Sequence, residues 1–590
     1  MKPTVIFDIE IYTNYLLVAF MNTVTLNIRH FEMFAGQPLD VKTLREVLQR
    51  YRLVSFNGIQ FDLPLITMAL KGAACLEIKA AADRMIKNGE RHWALGIESI
   101  TVDHIDLMEV APSQASLKLY GGRLHCPTLQ DLPIEHGAVI TPQQHAVLRK
   151  YCENDLHTTL ALFEKLAPQI SLREQMTIQY GIDLRSKSDA QIAEAVIRAE
   201  VEKGLGHSLK RRDPFRLAGK SFQYRPPAFI KFSTKPFKDI LAIVQSTVFL
   251  IGNTGSVQMP KEIADLKISV GGRTYRMGIG GLHSSEKSVA HHSDSEYVLV
   301  DRDVTSYYPS IILSCGLRPE DMGEHFTVVY RRIVESRLAA KKSGDKVRAE
   351  SLKITINGSF GKFGSPYSVL YSPPLLVQTT VTGQLALLML IEALVSEDID
   401  IVSANTDGLV IRCRRDRVAL MTYVVWEWEH STGFETEANE YFALFSRDVN
   451  NYVALTENGY KAKGAYASAT LSKNPQSEIV TRAVIEHLRH NTPVAETINT
   501  CRDITQFVSV RTVRGGAVKD GVLLGKAIRW YYAHGVNGAI HYRVNNYTVP
   551  RTEGARPLMD LPADFPADVD LDWYLREASS VLKDIGAYTI

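Results

Sequence analysis

The sequence predicts a multidomain α/β protein, and three observations carry that expectation. At 590 residues the chain exceeds what one hydrophobic core organises, so several domains are expected. Two apolar strand patterns, "TVIFDIEIY" at 4–12 and "SEYVLVDRDV" at 295–304, each end in acids. Helical periods alternate with strand patterns along the chain instead of segregating into blocks.

The elements follow in order. The first acid-bearing strand is joined by "YLLVAF" (15–20), "TVTLNI" (23–28) and "LVSFNG" (53–58) as neighbouring strands. "DLPLITMALKGA" (62–73) and "PQQHAVLRKYCENDLHTTLALFEKL" (142–166) read as helices, which predicts an α/β domain ending near Ser186. A connection rich in Pro and basic residues spans 209–229. Residues 327–342 are helical, "SGD" at 343–345 interrupts them, and a second helix runs to about Phe360, giving a helical hairpin. "IDIVSANTDGLVIRC" (399–413) is strand, tight turn, strand, with Asp407 in the turn. The remainder is mixed and includes the basic, Gly-rich, aromatic stretch "RGGAVKDGVLLGKAIRWYY" at 514–532.

Bulk properties exclude little. Hydrophobic content of 45% and charged content of 22% are ordinary for a globular protein. A formal charge of +2 neither suggests nor excludes nucleic acid, because local basic surface governs such binding. None of the six cysteines forms a Cys-x-x-Cys pair, which argues against a zinc ribbon or iron–sulfur module, and their scatter fits a reducing cytosol. Acidic residues within the first ten positions argue against a signal peptide. No uninterrupted apolar run approaches bilayer length, so no membrane association is expected.

Chemistry is concentrated in two carboxylate sets. Asp8 and Glu10 lie two apart on a strand and therefore on one face. Asp62 follows "NGIQF", and Asp155 lies on a helix one turn after Tyr151. A hydrolytic two-metal site needs several carboxylates converging on hard cations about 4 Å apart, and Tyr151 is positioned to orient an attacking water. Each acid alone is as well explained as a surface acid at the end of an element; three spaced segments in this order favour a nuclease site. The second set is Asp303 and Asp407. An Asn-Thr-Asp-Gly turn alone is an ordinary hairpin. Between the two acids, however, Arg337 and Lys341 share one helix face, and Lys353, Asn357 and Phe360 share another. A cationic face crossing a helical hairpin suits a triphosphate better than a merely solvated helix surface. In the C-terminal stretch, Arg514, Lys519, Lys526 and Arg529 beside Trp530, Tyr531 and Tyr532 fit either a grip on a duplex backbone or a packed helix with a Gly-rich loop.

These motifs resemble those of family B DNA polymerases. "DIE", "NGIQFD" and "YCEND" resemble the three motifs of the family's proofreading domain; "DVTSYYPSII", "KITINGSFG" and "ANTDG" resemble polymerase motifs A, B and C. The resemblance implies a 3′→5′ exonuclease of ribonuclease-H-like fold over 1–185 and a connecting region with the N-terminal part of the palm over 186–296. It further implies palm over 297–326, fingers over 327–364, palm again over 365–470 and thumb over 471–590. Carried over residue by residue, it implies metal ligation by Asp8, Glu10, Asp62 and Asp155 in one site. In the other it implies ligation by Asp303 and Asp407, with the Val304 carbonyl, and two Mg²⁺ or Mn²⁺ ions in each site. Tyr308 becomes a gate against a 2′-hydroxyl. Arg337, Lys341 and Lys353 become triphosphate contacts, with Asn357 near the incoming nucleotide. "NNYVALTENGYKAKG" resembles the primer-contacting segment, with Tyr452 and Lys463 its best-matched residues. The implied partners are primer–template DNA, deoxynucleoside triphosphates and viral or host replication proteins, for a monomer in the cytoplasm.

Departures from the family pattern are Asn405 for the first Asp of motif C, and Gly358, Phe360 and Gly408 for Ser, Tyr and Ser. The lysine usual before Tyr452 is replaced by Asn450 or Asn451. The exonuclease motif opens the sequence, which predicts that the extra N-terminal domain of larger members is missing. Only 50 residues separate Asp303 from Lys353, and 50 separate Asn357 from Asp407. That leaves no room for the insertions of protein-primed phage members and predicts a compact, bacteriophage-like enzyme that uses a nucleic-acid primer. The rival expectations are an exonuclease whose polymerase half has decayed into a DNA-binding scaffold, and a non-enzymatic replication subunit.

Overall fold

In the protein, a computed structural model, residues 2–210 and 213–587 are described; Arg211 and Arg212 of the basic connection fall outside them. The chain forms two compact units. The first comprises Met1–Ser188, Ser468–Arg482 and Ala495–Leu575; the second comprises Asp189–Ala467, Ala483–Val494 and Arg576–Ile590.

The first unit opens with β1 (Thr4–Tyr12), β2 (Tyr15–Asn22) and β3 (Ile28–Phe34), followed by β4 (Arg52–Ser55) and β5 (His104–Asp106). They form one sheet in the order β3-β2-β1-β4-β5. β1 to β3 are antiparallel neighbours, whereas β4 and β5 run parallel to β1. β1 is thus central, and its apolar residues divide between two cores: Ile6 and Tyr12 on one face, Val5, Phe7 and Ile9 on the other. The unit includes helices α1 (Asp62–Leu70), α2 (Leu117–Arg123) and α3 (His145–Lys165), with α3 packed on β1 and α2 packed on α3.

The second unit begins with α4 (Asp189–Leu205). A seven-stranded sheet follows, built from β6 (Ile268–Val270), β7 (Arg273–Met277), β8 (Leu282–Ser285), β10 (Tyr297–Val304), β11 (Asp400–Asn405), β12 (Gly408–Arg414) and β13 (Thr436–Tyr441), in the order β13-β10-β12-β11-β8-β7-β6. A second sheet, β9-β14-β15-β16, comprises β9 (Val289–His292), β14 (Ala443–Asp448), β15 (Asn451–Thr456) and β16 (Gly459–Lys463). Its helices are α5 (Tyr307–Ser314), α6 (Gly323–Ser343), α7 (Lys346–Lys362) and α8 (Pro373–Ser396).

The hairpin break at 343–345 has a local cause. Gly344 ends α6 with φ of 74°, a left-handed conformation glycine adopts without a Cβ penalty. Asp345 then caps α7, its carboxylate accepting from the Arg348 amide at 3.1 Å. α7 lies against α4 so closely that a Cβ on Gly358 would sit 2.7 Å from the Asp189 carbonyl oxygen, which explains glycine at that position.

α8 corrects one expectation. Its 24 residues, with a mean hydropathy of 1.6, are long and apolar enough to cross a membrane, yet 78% of that window is buried inside the protein. It is the core helix of the second unit, where Val377, Val381, Leu385 and Leu388 pack on the large sheet. Two prolines at its start supply the pre-set φ that a first turn favours.

The C-terminal basic, aromatic stretch forms an antiparallel hairpin, β17 (Ser509–Lys519) and β18 (Val522–Tyr532), rather than a helix. It belongs to the first unit. Residues 471–590 therefore do not form a unit of their own.

Two candidate carboxylate centres

The first centre lies where β1, α1 and α3 meet. Glu10, Asp62 and Asp155 are buried, and Asp8 is half-buried. Burial raises the Asp8 pKa to about 7, with help from the charge of Asp155. Burial likewise lifts Glu10, which also feels Asp8, Asp155 and Asp62, and lifts Asp62, which feels Asp8 and Asp106. Asp8 and Glu10 converge with Cys152, their ligand atoms lying within 4.8 Å of one another. Tyr151 and Asp155, one turn apart on α3, are each 6% exposed. Burial raises the Tyr151 hydroxyl pKa, as do the charges of Asp155, Glu10 and Asp8. A set of hard oxygen donors with surplus negative charge fits Mg²⁺ or Mn²⁺.

Three residues of this centre escaped the sequence reading. Lys118 on α2 pairs with Asp155 and lies 4.3 Å from the centroid of the Tyr151 ring. Cys152 directs its thiol to Asp8 at 3.8 Å. Asp106 accepts from the backbone amides of Asn57 (2.8 Å), Ile59 (3.0 Å) and Met108 (3.1 Å), and so fixes the loop that delivers Asp62. Asn57 in that loop has φ of 70°, a conformation Asn tolerates better than most residues. A chain scan offers no signal for Lys118; Cys152 adjoins Tyr151, and Asp106 ends a short buried strand.

The second centre lies on the large sheet of the other unit. Asp303 near the end of β10 pairs in register with Gly408, and Asp407 occupies the two-residue turn between β11 and β12. The Val304 amide donates to the Asp407 carbonyl at 2.8 Å, joining the two strand ends. A Cβ on Gly408 would lie 2.2 Å from Asp303 Oδ1, so glycine there makes room for the carboxylate. A cavity of about 230 Å³ opens at this point, lined among others by Glu286, Asp301, Asp303, Asn405, Asp407 and Tyr452, with Lys461 and Lys463. Burial raises the pKa of Asp303, reinforced by Asp301, and raises that of Asp407. This oxygen-rich cavity also fits a divalent cation.

Asn405 turns its amide to the backbone. Its Nδ2 donates to the Val449 carbonyl at 3.2 Å, and its Oδ1 accepts from the Thr406 hydroxyl at 3.1 Å. It shapes the turn in which Thr406, a β-branched residue, is held at φ of 55°.

The helical hairpin reaches the same strand ends. Arg337 donates to the Ser306 hydroxyl at 2.8 Å. Lys341 pairs with Glu437 at 2.7 Å, and Glu437 is the register partner of Asp303 on β13. Lys353 and Asn357 are exposed on one face of α7, with Lys353 beside Glu350 at 3.2 Å. Tyr308 stacks on Phe360 with ring centroids 4.3 Å apart and donates its hydroxyl to the Gly280 carbonyl at 2.5 Å. Asp301, Glu286 and Lys461 were missed by the sequence reading. Asp301 had a signal, lying two residues before Asp303 and so on the same strand face.

Two of the expected DNA contacts are corrected. Arg529 is 0% exposed and donates to the carbonyls of Cys126, Pro127, Leu558 and Met559. Lys519 is 6% exposed and donates to the carbonyls of Asn537 and Gly538. Neither has a donor facing solvent to offer a phosphate. Trp530, Tyr531 and Tyr532 are likewise buried, so they are not stacking platforms. Lys526 and Arg514 remain exposed.

No family model matches the chain. Over 138 residues it is 34% identical to DNA polymerase 1 of Aeropyrum pernix. The chain is similar to a DNA polymerase. The matched stretch is 21% of this chain and spans 14% of that relative's length. Among solved structures, the family B DNA polymerase of the hyperthermophilic archaeon Pyrobaculum calidifontis aligns with a TM-score of 0.42 and 14% identity, over 100% of this chain and 78% of that one.

Proposed function

We propose that the protein is a family B DNA polymerase that extends a primer on a template and proofreads with a 3′→5′ exonuclease. The observation that carries this reading is that each compact unit has its own carboxylate centre, largely buried in the first unit and lining an open cavity in the second. The β3-β2-β1-β4-β5 order of the first sheet supports a ribonuclease-H-like exonuclease domain. In the second unit the large sheet is the palm and the α6–α7 hairpin is the fingers; the β17–β18 region is the thumb.

The primer 3′-hydroxyl attacks the α-phosphate of a deoxynucleotide and pyrophosphate leaves. Asp303 and Asp407, with the Val304 carbonyl, would hold one pair of Mg²⁺ or Mn²⁺ ions; Asp8, Glu10, Asp62 and Asp155 would hold the other. Bound cations supply Lewis acidity, lowering the pKa of the attacking oxygen and neutralising phosphate charge. Arg337, Lys341 and Lys353 bind the triphosphate, Asn357 lies at the incoming nucleotide, and Tyr308 excludes a 2′-hydroxyl. Tyr452 and Lys463 contact the primer, and Lys526 the duplex. In the exonuclease Tyr151 orients the attacking water and Lys118 fixes Asp155. The short spacing between motifs supports a bacteriophage source, and thus a monomer working with viral or host replication proteins in the cytoplasm of an infected cell.

A decayed polymerase half gains no support from Asn405, whose amide is engaged in the turn. The deciding experiment separates the two activities. Asp407→Ala should abolish primer extension and leave degradation of single-stranded 3′ ends intact, while Asp8→Ala with Glu10→Ala should do the reverse. Loss of both activities from either change, in a protein whose circular dichroism is unaltered, would refute the two-centre reading.

A further inference from the structure

We propose that Lys461 is a positioning residue of the Asp303–Asp407 cavity: its ammonium, tied to the buried Asp301, holds the Asp303 carboxylate and is a fixed counter-charge of the cavity. The proposal rests on the polymerase reading of that cavity.

Asp301 and Asp303 share one face of β10. Asp301 is 4% exposed, and a carboxylate taken that far from water needs a partner. It has two: the hydroxyl of Tyr441, itself 1% exposed, and Lys461 Nζ at 3.1 Å. Lys461 comes from β16, a strand of the other sheet, so this ion pair joins the two sheets at the cavity. The same Nζ lies 3.6 Å from Asp303 Oδ2. The opposite oxygen, Oδ1, lies over Gly408. Asp303 is thus located from both sides, by a glycine that leaves room and by an ammonium that attracts. Asp301 anchors that ammonium, and the Lys461 side chain is 47% exposed, so its charge faces the cavity.

An ammonium so placed has two effects of opposite sign. It orients Asp303, which favours catalysis, and it repels a cation bound beside Asp303. A lysine that merely stabilised the fold would move both in the same direction when removed.

The test uses the full chain carrying Asp8→Ala and Glu10→Ala, so that Mn²⁺ reports on one cavity, with binding followed by electron paramagnetic resonance. Lys461→Gln should tighten Mn²⁺ binding on the order of tenfold. It should also slow single-turnover extension at saturating Mn²⁺ by at least about tenfold, because a carboxylate that wanders loses alignment. Lys461→Arg, which keeps the charge, should hold Mn²⁺ affinity within about threefold of the parent and recover extension relative to Lys461→Gln. Unchanged or weaker Mn²⁺ binding in Lys461→Gln, or an arginine variant that behaves like the glutamine one, overturns the proposal. Should Lys461→Gln fail to fold, Asp301→Asn combined with Lys461→Gln removes both charges together. That pair should bind Mn²⁺ within about threefold of the parent and still extend slowly; parental extension overturns the proposal. A parent that extends no primer refutes the polymerase reading, and the Mn²⁺ titrations then still decide the role of Lys461.

Discussion

Gly408 is the position where a single methyl group interrogates the proposed polymerase centre. An ideal Cβ there would stand 2.2 Å from Asp303 Oδ1, 3.0 Å from the Arg302 carbonyl oxygen and 3.2 Å from Asp303 Cγ, whereas ordinary contact begins near 3.4 Å. The neighbouring backbone is fixed by the β10–β12 ladder, so the carboxylate must retreat, by about 1 Å. Misplacing a catalytic group by that much costs on the order of a hundredfold in rate, or about 2.7 kcal/mol of transition-state stabilisation. Gly408 lies in a strand and its φ is not positive, so alanine imposes no backbone strain and the effect is steric. We expect Gly408→Ala to lower single-turnover primer extension about a hundredfold and to leave degradation of single-stranded 3′ ends at the parental rate. The nuclease rate doubles as a control for folding. The resemblance to family B polymerases, which carry serine here, makes the opposite expectation: a small side chain should be harmless. Extension by Gly408→Ala within about threefold of the parent would refute the placement of the Asp303 carboxylate.

If the ring packed on Phe360 is the proposed sugar gate, Tyr308→Ala should raise the ratio of ribonucleotide to deoxynucleotide incorporation in competition assays, since such a gate discriminates by clash; an unchanged ratio removes Tyr308 from the nucleotide pocket. Asn405→Asp should leave the magnesium concentration for half-maximal extension within about a few-fold, since position 405 faces backbone and hydroxyl partners; a shift of about a hundredfold, near 3 kcal/mol, would mean it touches the cation. His104 gives the pH dependence. Burial lowers its pKa from 6.5 to about 3, so the unfolded chain binds a proton that the folded one refuses. Its contribution is intact above about pH 6.5 and is lost as pH falls toward 3. Denaturant titrations should show the parent losing about 3 kcal/mol more than His104→Asn between pH 6.5 and pH 4, and equal slopes would contradict the buried neutral imidazole.

What the sequence disclosed depended on whether a signal was local. Strand-borne acids at Asp8 and Glu10, the helix pair Tyr151 and Asp155, and the turn at Asp407 depend on periods of two and four residues and on turn chemistry, which a chain carries in itself. The hairpin break was legible because Gly344 and Asp345 are cap residues. Lys118, Asp106, Lys461 and Glu286 were not legible, because each is brought to its centre by packing between distant segments. α8 was underestimated because scattered Thr, Gln and Gly interrupt its apolar run, although the buried core accepts them: Thr379 hydrogen-bonds the Leu375 carbonyl and Gln384 the Thr380 carbonyl.

The misreading of Arg529 and Lys519 has a physical lesson for basic stretches in strands. In an antiparallel hairpin each residue's face is set by register, and a run of basic and aromatic residues does not say which face is covered. Ile528, Arg529, Trp530 and Tyr531 are all buried, so this part of β18 is covered on both faces. The Arg529 guanidinium forms no ion pair among the described residues; burial lowers its pKa to about 10, and four carbonyl oxygens take its donors instead. Those carbonyls belong to residues 126–127 and 558–559, so Arg529 clasps two remote segments of the first unit to the hairpin. Lys519 does the same for residues 537–538. A charge that satisfies four backbone acceptors is a structural fastener: without it the Pro127 and Met559 carbonyls keep the amides of Leu561 and Leu129, whereas those of Cys126 and Leu558 lose their donor at about 1–3 kcal/mol each. The basic residues of this stretch that remain exposed, Arg514 and Lys526, lie where the regular pairing of the hairpin is interrupted.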